Sequence, residues 1–512
     1  MILEMHCHTE EHSSCSHVKA VDLVRRNFDN GLLGTVLTDH HYLWTTEEIS
    51  RLRREAAVPD YYLVLPGQEI STSEIGDVLV YGATRSLARG TPLADIRREF
   101  PEAALVWAHP FRGENLPQKE QLLHELLDGI EIFSSNHTVM ESHRALISWH
   151  KYKFTAIAGT DAHALSYAGI YPTVFDHPFT SINELAMEIR AGRCRPYFKE
   201  IPRSGTTDTK VLELAIGIKS RERTRENIMI KTPENMGAWE TAARTQQIME
   251  KISEKGFREG RFRLPMPLGL DKENLSVFEE GILGRTLFDV LVEASPETAP
   301  EYLKLTAQWL ARLHNAGLQI TPPEEFLRDE YSRLERYLSA FYSIDHAHTR
   351  RAQEIMDAVI STECTLYPGR YQDFVQGHGD FHPKNIYIGN NLNDDPEKCF
   401  IAAIDFDSSY CMPRAFDVGT FMAQFRNQFF SRQDVLDKVD ASVFLQEYLQ
   451  EVKEPDDNFT SQVELFKART TLSICYYLIR VGLGDSENLW RVLVEAEQNL
   501  AGIAAKGAAL HV

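Results

Sequence analysis

From Met1 to about residue 200, short apolar runs alternate with amphipathic stretches of helical period. The runs predict strands over residues 3–6, 34–38, 61–65, 77–81, 104–108, 129–133 and 155–158. Between them, apolar positions three and four residues apart predict helices over 18–28, 46–57, 118–127, 140–150 and 181–191. Strands alternating with helices in this way define an α/β architecture, either a barrel or an open parallel sheet. The rhythm stops in the polar stretch 203–210, which sets a domain boundary near residue 200. Two β-like runs follow, 211–218 and 227–231, and then a helical run over 237–253. After about residue 297 the pattern is mostly helical, interrupted between Gln376 and Tyr410 by the apolar runs 386–388 and 400–404. The expected layout is an N-terminal domain over 1–200 and a second domain over 201–512. The second would comprise a small β-containing lobe at about 205–290 and a helical lobe at about 291–512.

The polar residues at the predicted strand ends choose between barrel and open sheet. His6 and His8, Asp39 and His40, Glu69, His109, Glu131, and Asp161 with His163 all lie at or just beyond the last apolar residues of their strands. Side chains from that many strand ends converge only if the strands close into a barrel with its site at the C-terminal rim, so an irregular βα barrel is expected. Thirteen of the 19 histidines fall in the first 200 residues, which points to metal chemistry in this half. The seven cysteines are odd in number, form no CxxC pair and suit a reducing compartment.

Composition narrows the partners. Fifty-four basic against 74 acidic residues leave a net charge of −20, which repels phosphate backbones and anionic lipid, so neither long nucleic acid nor a membrane is an expected partner. No window approaches the roughly 18 consecutive apolar residues of a spanning helix, and the opening Met1-Ile2-Leu3-Glu4-Met5 does not read as a signal peptide; a cytoplasmic location is expected. Oligomeric state leaves no mark in the sequence.

In His6-Cys7-His8-Thr9 the two imidazoles stand at i and i+2, on one face of a strand, where both can grip one cation. The later segments Thr38-Asp39-His40, Gly67-Gln68-Glu69-Ile70, Ala108-His109-Pro110, Gly129-Ile130-Glu131-Ile132-Phe133 and Gly159-Thr160-Asp161-Ala162-His163 supply further imidazoles and carboxylates at strand ends. Neutral imidazoles with carboxylates suit zinc, manganese or iron, and a carboxylate can bridge neighbouring ions.

In that order these motifs resemble the polymerase and histidinol phosphatase (PHP) family, whose fold is a distorted (βα)7 barrel carrying a two- or three-metal phosphoesterase site. The resemblance covers roughly residues 1–200. It implies that His6, His8, Glu69 and Asp161 hold one metal, His40 and His163 a second, and a bridging Glu69 with His109 and His137 a third. Many members supply an acidic residue or histidine shortly after the HxH pair. Here the loop reads Glu10-Glu11-His12-Ser13-Ser14-Cys15-Ser16-His17, leaving His12, Cys15 and His17 as alternatives. Asp161 is also a candidate catalytic residue, and Arg112 is a candidate contact to substrate phosphate, because a guanidinium matches phosphate oxygens in a two-point fork. His41, His124, His143, His150 and His177 lie outside the strand-end pattern and read as structural. Adjacent cations make hydroxide available near neutral pH and neutralise phosphate oxygens during in-line attack, so ester hydrolysis is the expected chemistry.

The strongest local signal of the second half is His378-Gly379-Asp380-Phe381-His382-Pro383-Lys384-Asn385, followed by Ile404-Asp405-Phe406-Asp407. Phosphoryl transfer needs a carboxylate beside the accepting hydroxyl and oxygen ligands that hold Mg²⁺ on nucleotide phosphates, and Asp380, Asn385 and Asp405 are that set. The segment resembles the aminoglycoside phosphotransferase family, a kinase-like fold that includes choline kinases, over about residues 205–500. The resemblance implies that Asp380 orients or deprotonates the substrate hydroxyl, that Asn385 and Asp405 bind Mg²⁺, and that Asp417 braces the loop. Lys231, ending the apolar run Ile228-Met229-Ile230, stands where the family has its phosphate-binding lysine, with Glu240 as its ion-pair partner. The run 278–287 is similar to the family's approach to the adenine pocket, and Ser204-Gly205-Thr206-Thr207 is the candidate phosphate loop.

The expected function is a bifunctional enzyme: a metal-dependent phosphomonoesterase fused to an ATP- or GTP-dependent small-molecule hydroxyl kinase using Mg²⁺. Its partners would be a small phosphoester, a hydroxyl substrate and a nucleoside triphosphate. Two alternatives stand beside it. In the first, one half is a non-catalytic sensor of nucleotide or phosphoester that regulates the other; in the second, the barrel is a phosphodiesterase acting on small nucleotides.

Overall fold

Strands β1 (Ile2–Glu4), β2 (Gly34–Leu37), β3 (Leu63–Ser71), β4 (Asp77–Tyr81), β5 (Ala104–Trp107), β6 (Gly129–Phe133), β7 (Ala156–Ala158), β8 (Thr173–Phe175) and β9 (Cys194–Pro196) form one sheet in the computed structural model. Their order is β7-β6-β5-β4-β3-β2-β1-β8-β9. The structure describes all residues except 198, 205–206, 217–223, 368, 391–393, 454–457 and 510–512. Every residue of β2, β5, β6 and β7 is buried, which is why these strands read as continuous apolar runs. Helices α1 (Ala20–Asp29), α2 (Thr46–Glu55), α3 (Leu93–Glu99), α4 (Lys119–Leu122), α5 (Val139–Tyr152) and α6 (Ile182–Arg190) connect the strands. Reciprocal capping boxes start four of them: Thr45 with Glu48, Gln118 with Gln121, Thr138 with Glu141, and Ser181 with Glu184.

The sheet is barrel-like and nearly closed. At one rim Cys7 bridges Ala162 in parallel register, beyond the ends of β1 and β7. Thr173 Oγ1 on β8 accepts from Ala158 N–H of β7 at 2.8 Å and donates to its carbonyl at 2.7 Å, and β9 lies against β7. Seven strands were expected; the sheet has nine, of mixed direction. β4 runs antiparallel to both β3 and β5 because β3 and β4 form a hairpin, tied by Thr72 N–H to the Gly76 carbonyl at 2.7 Å. Strands β8 and β9, three residues each, are too short to show periodicity. β3 is longer than its apolar run: it continues through Pro66 and Gly67, so Glu69 lies within the strand. Of the helix expected over 118–127 only α4 forms.

A second, antiparallel sheet follows, in the order β10-β11-β12-β15-β14, with β10 (Lys199–Ser204), β11 (Thr207–Ile216), β12 (Thr224–Pro233), β14 (Pro267–Asp271) and β15 (Ser276–Gly281). Gly205 and Thr206 of the candidate phosphate loop, and positions 217–218 of the predicted run 211–218, lie outside the described residues. Ile228, Ile230 and Phe278 of this sheet share one apolar core with Ile132 of β6 and Ala145 and Leu146 of α5. Met1–Trp239 and Leu268–Gly281 accordingly form one compact unit, and Glu240–Pro267 with Ile282–Val512 the other.

The second unit is mainly helical, with α8 (Leu287–Glu293), α9 (Ala299–Asn315), α10 (Phe326–Ser343), α11 (Thr349–Leu366), α12 (Ala415–Gln428), α13 (Gln433–Leu436), α14 (Ser442–Glu451), α15 (Phe459–Arg480) and α16 (Glu487–Ala509); α7 (Met236–Ser253) runs out of the first unit into it. A four-stranded sheet, β13 (Phe262–Arg263), β19 (Phe400–Ala403), β18 (Ile386–Gly389) and β16 (Arg285–Thr286), and a pair, β17 (Val375–Gln376) with β20 (Cys411–Met412), frame its polar loop. One core holds the unit together, with Trp309, Tyr302, Phe341, Phe421 and Phe466 at its centre. Among the described residues no helix is long and apolar enough to cross a membrane.

Candidate functional site

The first candidate site is built where β1 runs out of the sheet. The strand pleat turns His6 and His8 to one side, their Nε2 atoms 3.1 Å apart, while Cys7 turns away and points its thiol at the Val36 carbonyl. Glu69 on β3 reaches the same place: Oε2 lies 3.4 Å from His6 Nε2, 3.2 Å from His8 Nε2 and 3.0 Å from His40 Nδ1, and Oε1 lies 3.2 Å from His109 Nε2. Asp161, just past β7, sets Oδ1 3.1 Å from His8 Nε2 and 3.6 Å from His6 Nε2. Among the described residues three groups have ligating atoms mutually within 4.8 Å: His6, His8 and Asp161; His8, His40 and His163; and His6, Glu69 and His109.

Buried acids hold these donors in place. Glu131 on β6 accepts from His6 Nδ1 and from the His109 backbone N–H, both at 2.9 Å, so His6 carries a proton on Nδ1 and turns Nε2 inward. Glu4, fully buried, accepts from the backbone N–H groups of Met5, His6, Thr160 and Gly169, tying the His6 strand to the segment that carries Asp161. Burial pushes the Glu4 carboxyl up to about 7 against those hydrogen bonds. Asp39 accepts from Thr9 N–H at 2.7 Å, Ser13 Oγ at 2.6 Å and Trp44 Nε1 at 2.7 Å, anchoring the loop after His8. Asn136 donates to Asp161 Oδ2 at 2.5 Å. His109 and Asp161 both have left-handed backbone, φ +32° and +52°, a strain that the surrounding contacts sustain. At Gly159 any Cβ would collide with the His6 side chain and the Glu131 carboxylate, which demands glycine there.

The electrostatics favour a cation. Burial opposes charge on Glu69 and Asp161, yet His6 and its neighbouring imidazoles hold both carboxyls far below the usual range. The same field outweighs burial at His8, through Asp161 and Glu69, and raises its pKa to about 9. A pocket that draws protons onto buried imidazoles also draws metal ions, with which protons compete.

His137 is buried, neither ring nitrogen has a hydrogen-bond partner, and burial with the nearby His109 charge lowers its pKa to about 4. It is thus a neutral imidazole, the form a metal takes, although it belongs to none of the three groups. Arg112 is exposed in the turn after His109, whose carbonyl accepts its backbone N–H at 3.1 Å. Of the three alternatives for the loop, His12 stacks on Tyr42 at 3.6 Å and His17 is exposed, while Cys15 Sγ lies 3.2 Å from His163 Nε2. His41, His124, His143, His150 and His177 join no group of donors.

The second candidate site is a loop of the helical unit. Asp417, buried on α12, accepts from the backbone N–H of His378 at 2.7 Å and of Gly379 at 2.8 Å, and from His314 Nε2 at 3.2 Å. Gly379 has φ +85°, and a Cβ there would run into the Ser408 carbonyl. Burial disfavours charge on Asp380, yet the hydrogen bond and charge of His382, with His378, keep its carboxyl below the usual range. Asn385 Nδ2 donates to the Asp380 carbonyl at 3.1 Å and its own carbonyl accepts from Ile404 N–H at 2.9 Å, which fixes Asp405 one residue further on with left-handed backbone, φ +67°. Asp380, Asn385 and Asp405 are therefore wired into one frame. His314 was not foreseen; its only signal is an imidazole at the end of an apolar helical stripe.

In the first unit, Lys231 on β12 pairs with Glu279 on β15, Nζ to Oε1 2.5 Å. The sequence reading named Glu240, which is exposed on α7; Glu279 becomes Lys231's neighbour only through the antiparallel register of β12 with β15.

Residues 228–447 match the family described as the phosphotransferase enzyme family, and residues 140–194 match the one described as PHP-associated. The phosphotransferase match thus lies in the C-terminal part of the chain, and the PHP-associated match, which spans Asp161 and His163, in its N-terminal region. No curated protein matches the chain. Solved structures similar to it include choline kinase from Cryptosporidium parvum Iowa II, at 15% identity and TM-score 0.39 over 61% of this chain and 90% of that one. An ethanolamine kinase from Plasmodium vivax follows at 13% and 0.39, over 71% and 94%. An aminoglycoside phosphotransferase from Streptomyces rimosus shows 12% and 0.35, over 53% and 92%. Likenesses this distant carry nothing further over to this chain.

Proposed function

We propose that the chain is a bifunctional enzyme. Residues 1–200 form a PHP-type barrel that hydrolyses a small phosphomonoester with two or three zinc, manganese or iron ions. Residues 201–512 form a kinase-like domain that transfers phosphate from ATP or GTP to a small hydroxyl compound with Mg²⁺. The observation that carries the first half is the meeting of His6, His8, His40, Glu69, His109, Asp161 and His163 around shared positions. The orphaned imidazole of His137 and the buried, proton-drawing carboxylates fit a set of divalent ions. When bound, such ions supply Lewis acidity and a hydroxide near neutral pH. The chain's own part is to hold His6 in one tautomer through Glu131, to set Glu69 between His40 and His109, and to offer the Arg112 guanidinium to phosphate oxygens. In the second half Asp380, kept as a carboxylate, receives the proton of the attacking hydroxyl, and Asn385 and Asp405 would hold the Mg²⁺ that accompanies a nucleotide. Lys231, ion-paired with Glu279, is read as the phosphate-binding lysine on its resemblance alone.

The test is metal analysis with hydrolysis of an aryl phosphate, and phosphoryl transfer from ATP to a panel of hydroxyl compounds. His8→Ala and Asp161→Ala should lose both metal and hydrolysis; full hydrolysis in both variants would reject the first half. Tight ATP binding with no transfer to any acceptor would favour a nucleotide sensor over a kinase.

A further inference from the structure

We infer that the acceptor of the kinase half is an anionic hydroxyl compound, one that carries a carboxylate or phosphate group, and that Arg333 on α10 holds that group; the inference rests on the phosphotransferase reading proposed above. In the interior of the helical unit Arg469 on α15 grips both oxygens of Glu330 on α10, Nη2 to Oε2 at 2.8 Å. That fork occupies Glu330, which is fully buried. Arg333, one helical turn on, stands 3.7 Å from the same Oε2, too far for a hydrogen bond, and its buried Nη1 has no hydrogen-bond partner. Asp329 on the same helix pairs with Arg328 instead. A further acid, Glu363 on α11, is 0% exposed and neither of its oxygens is hydrogen-bonded; burial and the Glu330 charge push its carboxyl well above the usual range, so it is uncharged. Arg469 and Arg333 thus share the single charge of Glu330, and the surplus positive charge sits on Arg333, whose side chain is 24% exposed.

The cluster adjoins the loop that carries Asp380. The Arg469 guanidinium lies 4.6 Å from the centre of the Phe416 ring, next in sequence to the Asp417 that braces the loop, and the Tyr410 carbonyl accepts the Gly377 N–H at 3.0 Å. Burial disfavours charge on Asp380, and Arg469 joins His382 and His378 in keeping it ionised. Arg333 stacks on Tyr410, its guanidinium carbon 3.8 Å from the centre of a ring that is itself buried and packed on Phe326. A guanidinium laid on a ring keeps its N–H edge free to take two oxygens of a carboxylate or phosphate in a fork. The same arrangement disfavours an ammonium acceptor, which needs a bare ring face or a bare carboxylate. Here Arg333 covers Tyr410, Arg469 covers Phe416, and Glu330 is already held. With the anion fixed at Arg333, the acceptor oxygen forms its bond to the γ-phosphorus of the nucleotide. The bond from that phosphorus to the nucleoside diphosphate breaks with its electron pair going to the diphosphate, and the hydroxyl proton passes to Asp380.

The experiment uses the full chain with Mg²⁺ and ATP or GTP, and measures phosphorylated product with matched acceptor sets: hydroxy acids, sugar phosphates, neutral polyols and amino alcohols. The expected result is a kcat/KM roughly 10–100-fold higher for one of the anionic sets than for the uncharged and cationic ones, the better anionic set telling carboxylate from phosphate. Arg333→Met, which keeps the length of the side chain, should raise KM for that acceptor by roughly 10–100-fold with kcat nearly kept, the mark of a lost binding contact. Arg333→Lys should recover part of the loss, because an ammonium restores the charge without the fork. The acceptor preference of the unaltered chain decides the matter even where a variant misfolds. No preference for an anionic set, or an unchanged KM in Arg333→Met, overturns this inference while leaving the kinase standing. Absence of transfer from either nucleotide to every set overturns the kinase reading and this inference with it.

Discussion

At the barrel rim the donors come from five separate places in the chain, around residues 6–8, 40, 69, 109 and 161–163, whereas in the helical unit Asp380, Asn385 and Asp405 belong to one stretch braced by Asp417. Both regions hold acids against the cost of burial, but with different counter-charges. The rim relies on imidazoles from distant strands, and the loop on its own His378 and His382 with backbone N–H groups. The rim therefore depends on closure of the whole sheet, while the loop depends on a few local hydrogen bonds. A change in sheet register would scatter the first site and leave the second intact.

The sharpest way to break this comparison is to remove one carboxylate from each region. Asp380→Ala should lower phosphoryl transfer by about 10²–10⁴-fold and leave hydrolysis untouched, while Asp161→Ala should do the reverse and lose metal; either variant silencing both activities would show that the regions are not independent. Next in size is Asp417→Ala, which strands two backbone donors and the His314 ring nitrogen in a buried place and should cost about 3 kcal/mol or more in denaturant unfolding of the helical unit. The same variant should reduce transfer, because the loop loses its anchor.

The first unit should carry its own pH signature. His143 on α5 is buried with neither ring nitrogen hydrogen-bonded, packed beside Phe278 of the second sheet, and burial with the nearby Arg144 charge pushes its pKa down to about 4. The unfolded chain takes up this proton near pH 6.5, before the folded one does. Its contribution is therefore complete above pH 6.5 and is lost on acidification towards pH 4, by up to about 3 kcal/mol at about 1.4 kcal/mol per pKa unit. His143→Phe should flatten that part of the stability profile; an unchanged slope would mean that other groups set it. The smallest effect expected is for Glu131→Gln, which keeps its shape but weakens the hold on His6 and the His109 backbone: metal affinity should drop roughly 10–100-fold with the fold and phosphoryl transfer unchanged.

Much of the fold was legible in the chain. Strands β2, β4, β5 and β6 fall within one residue of the apolar runs that predicted them, because strands buried on both faces are mostly apolar. β8 and β9 were not legible: three residues carry no period, and the place of β8 beside β1 and of β9 beside β8 is settled by pairing alone. Nor was the braced interior of Glu4, an acid within an apolar run whose oxygens accept from the adjoining N–H groups of Met5 and His6 and from those of the distant Thr160 and Gly169. The antiparallel insertion of β4 was hidden too, since a hairpin and a crossover leave the same apolar strand in the sequence.

Residue types and short spacings were the sequence's own contribution: the paired faces of His6 and His8, the carboxylate and amide of the loop 380–385, and the capping boxes that begin α2, α5 and α6. These follow from covalent geometry, since the pleat and the helical turn fix where residues two to four apart must point. Tertiary structure alone decided that the Cys15 thiol lies beside the His163 ring, that Glu279 faces Lys231, and that the five-stranded sheet shares a core with α5 of the barrel. Such partnerships depend on strand register and on which apolar faces bury each other, and those are properties of the packed chain that no local spacing encodes.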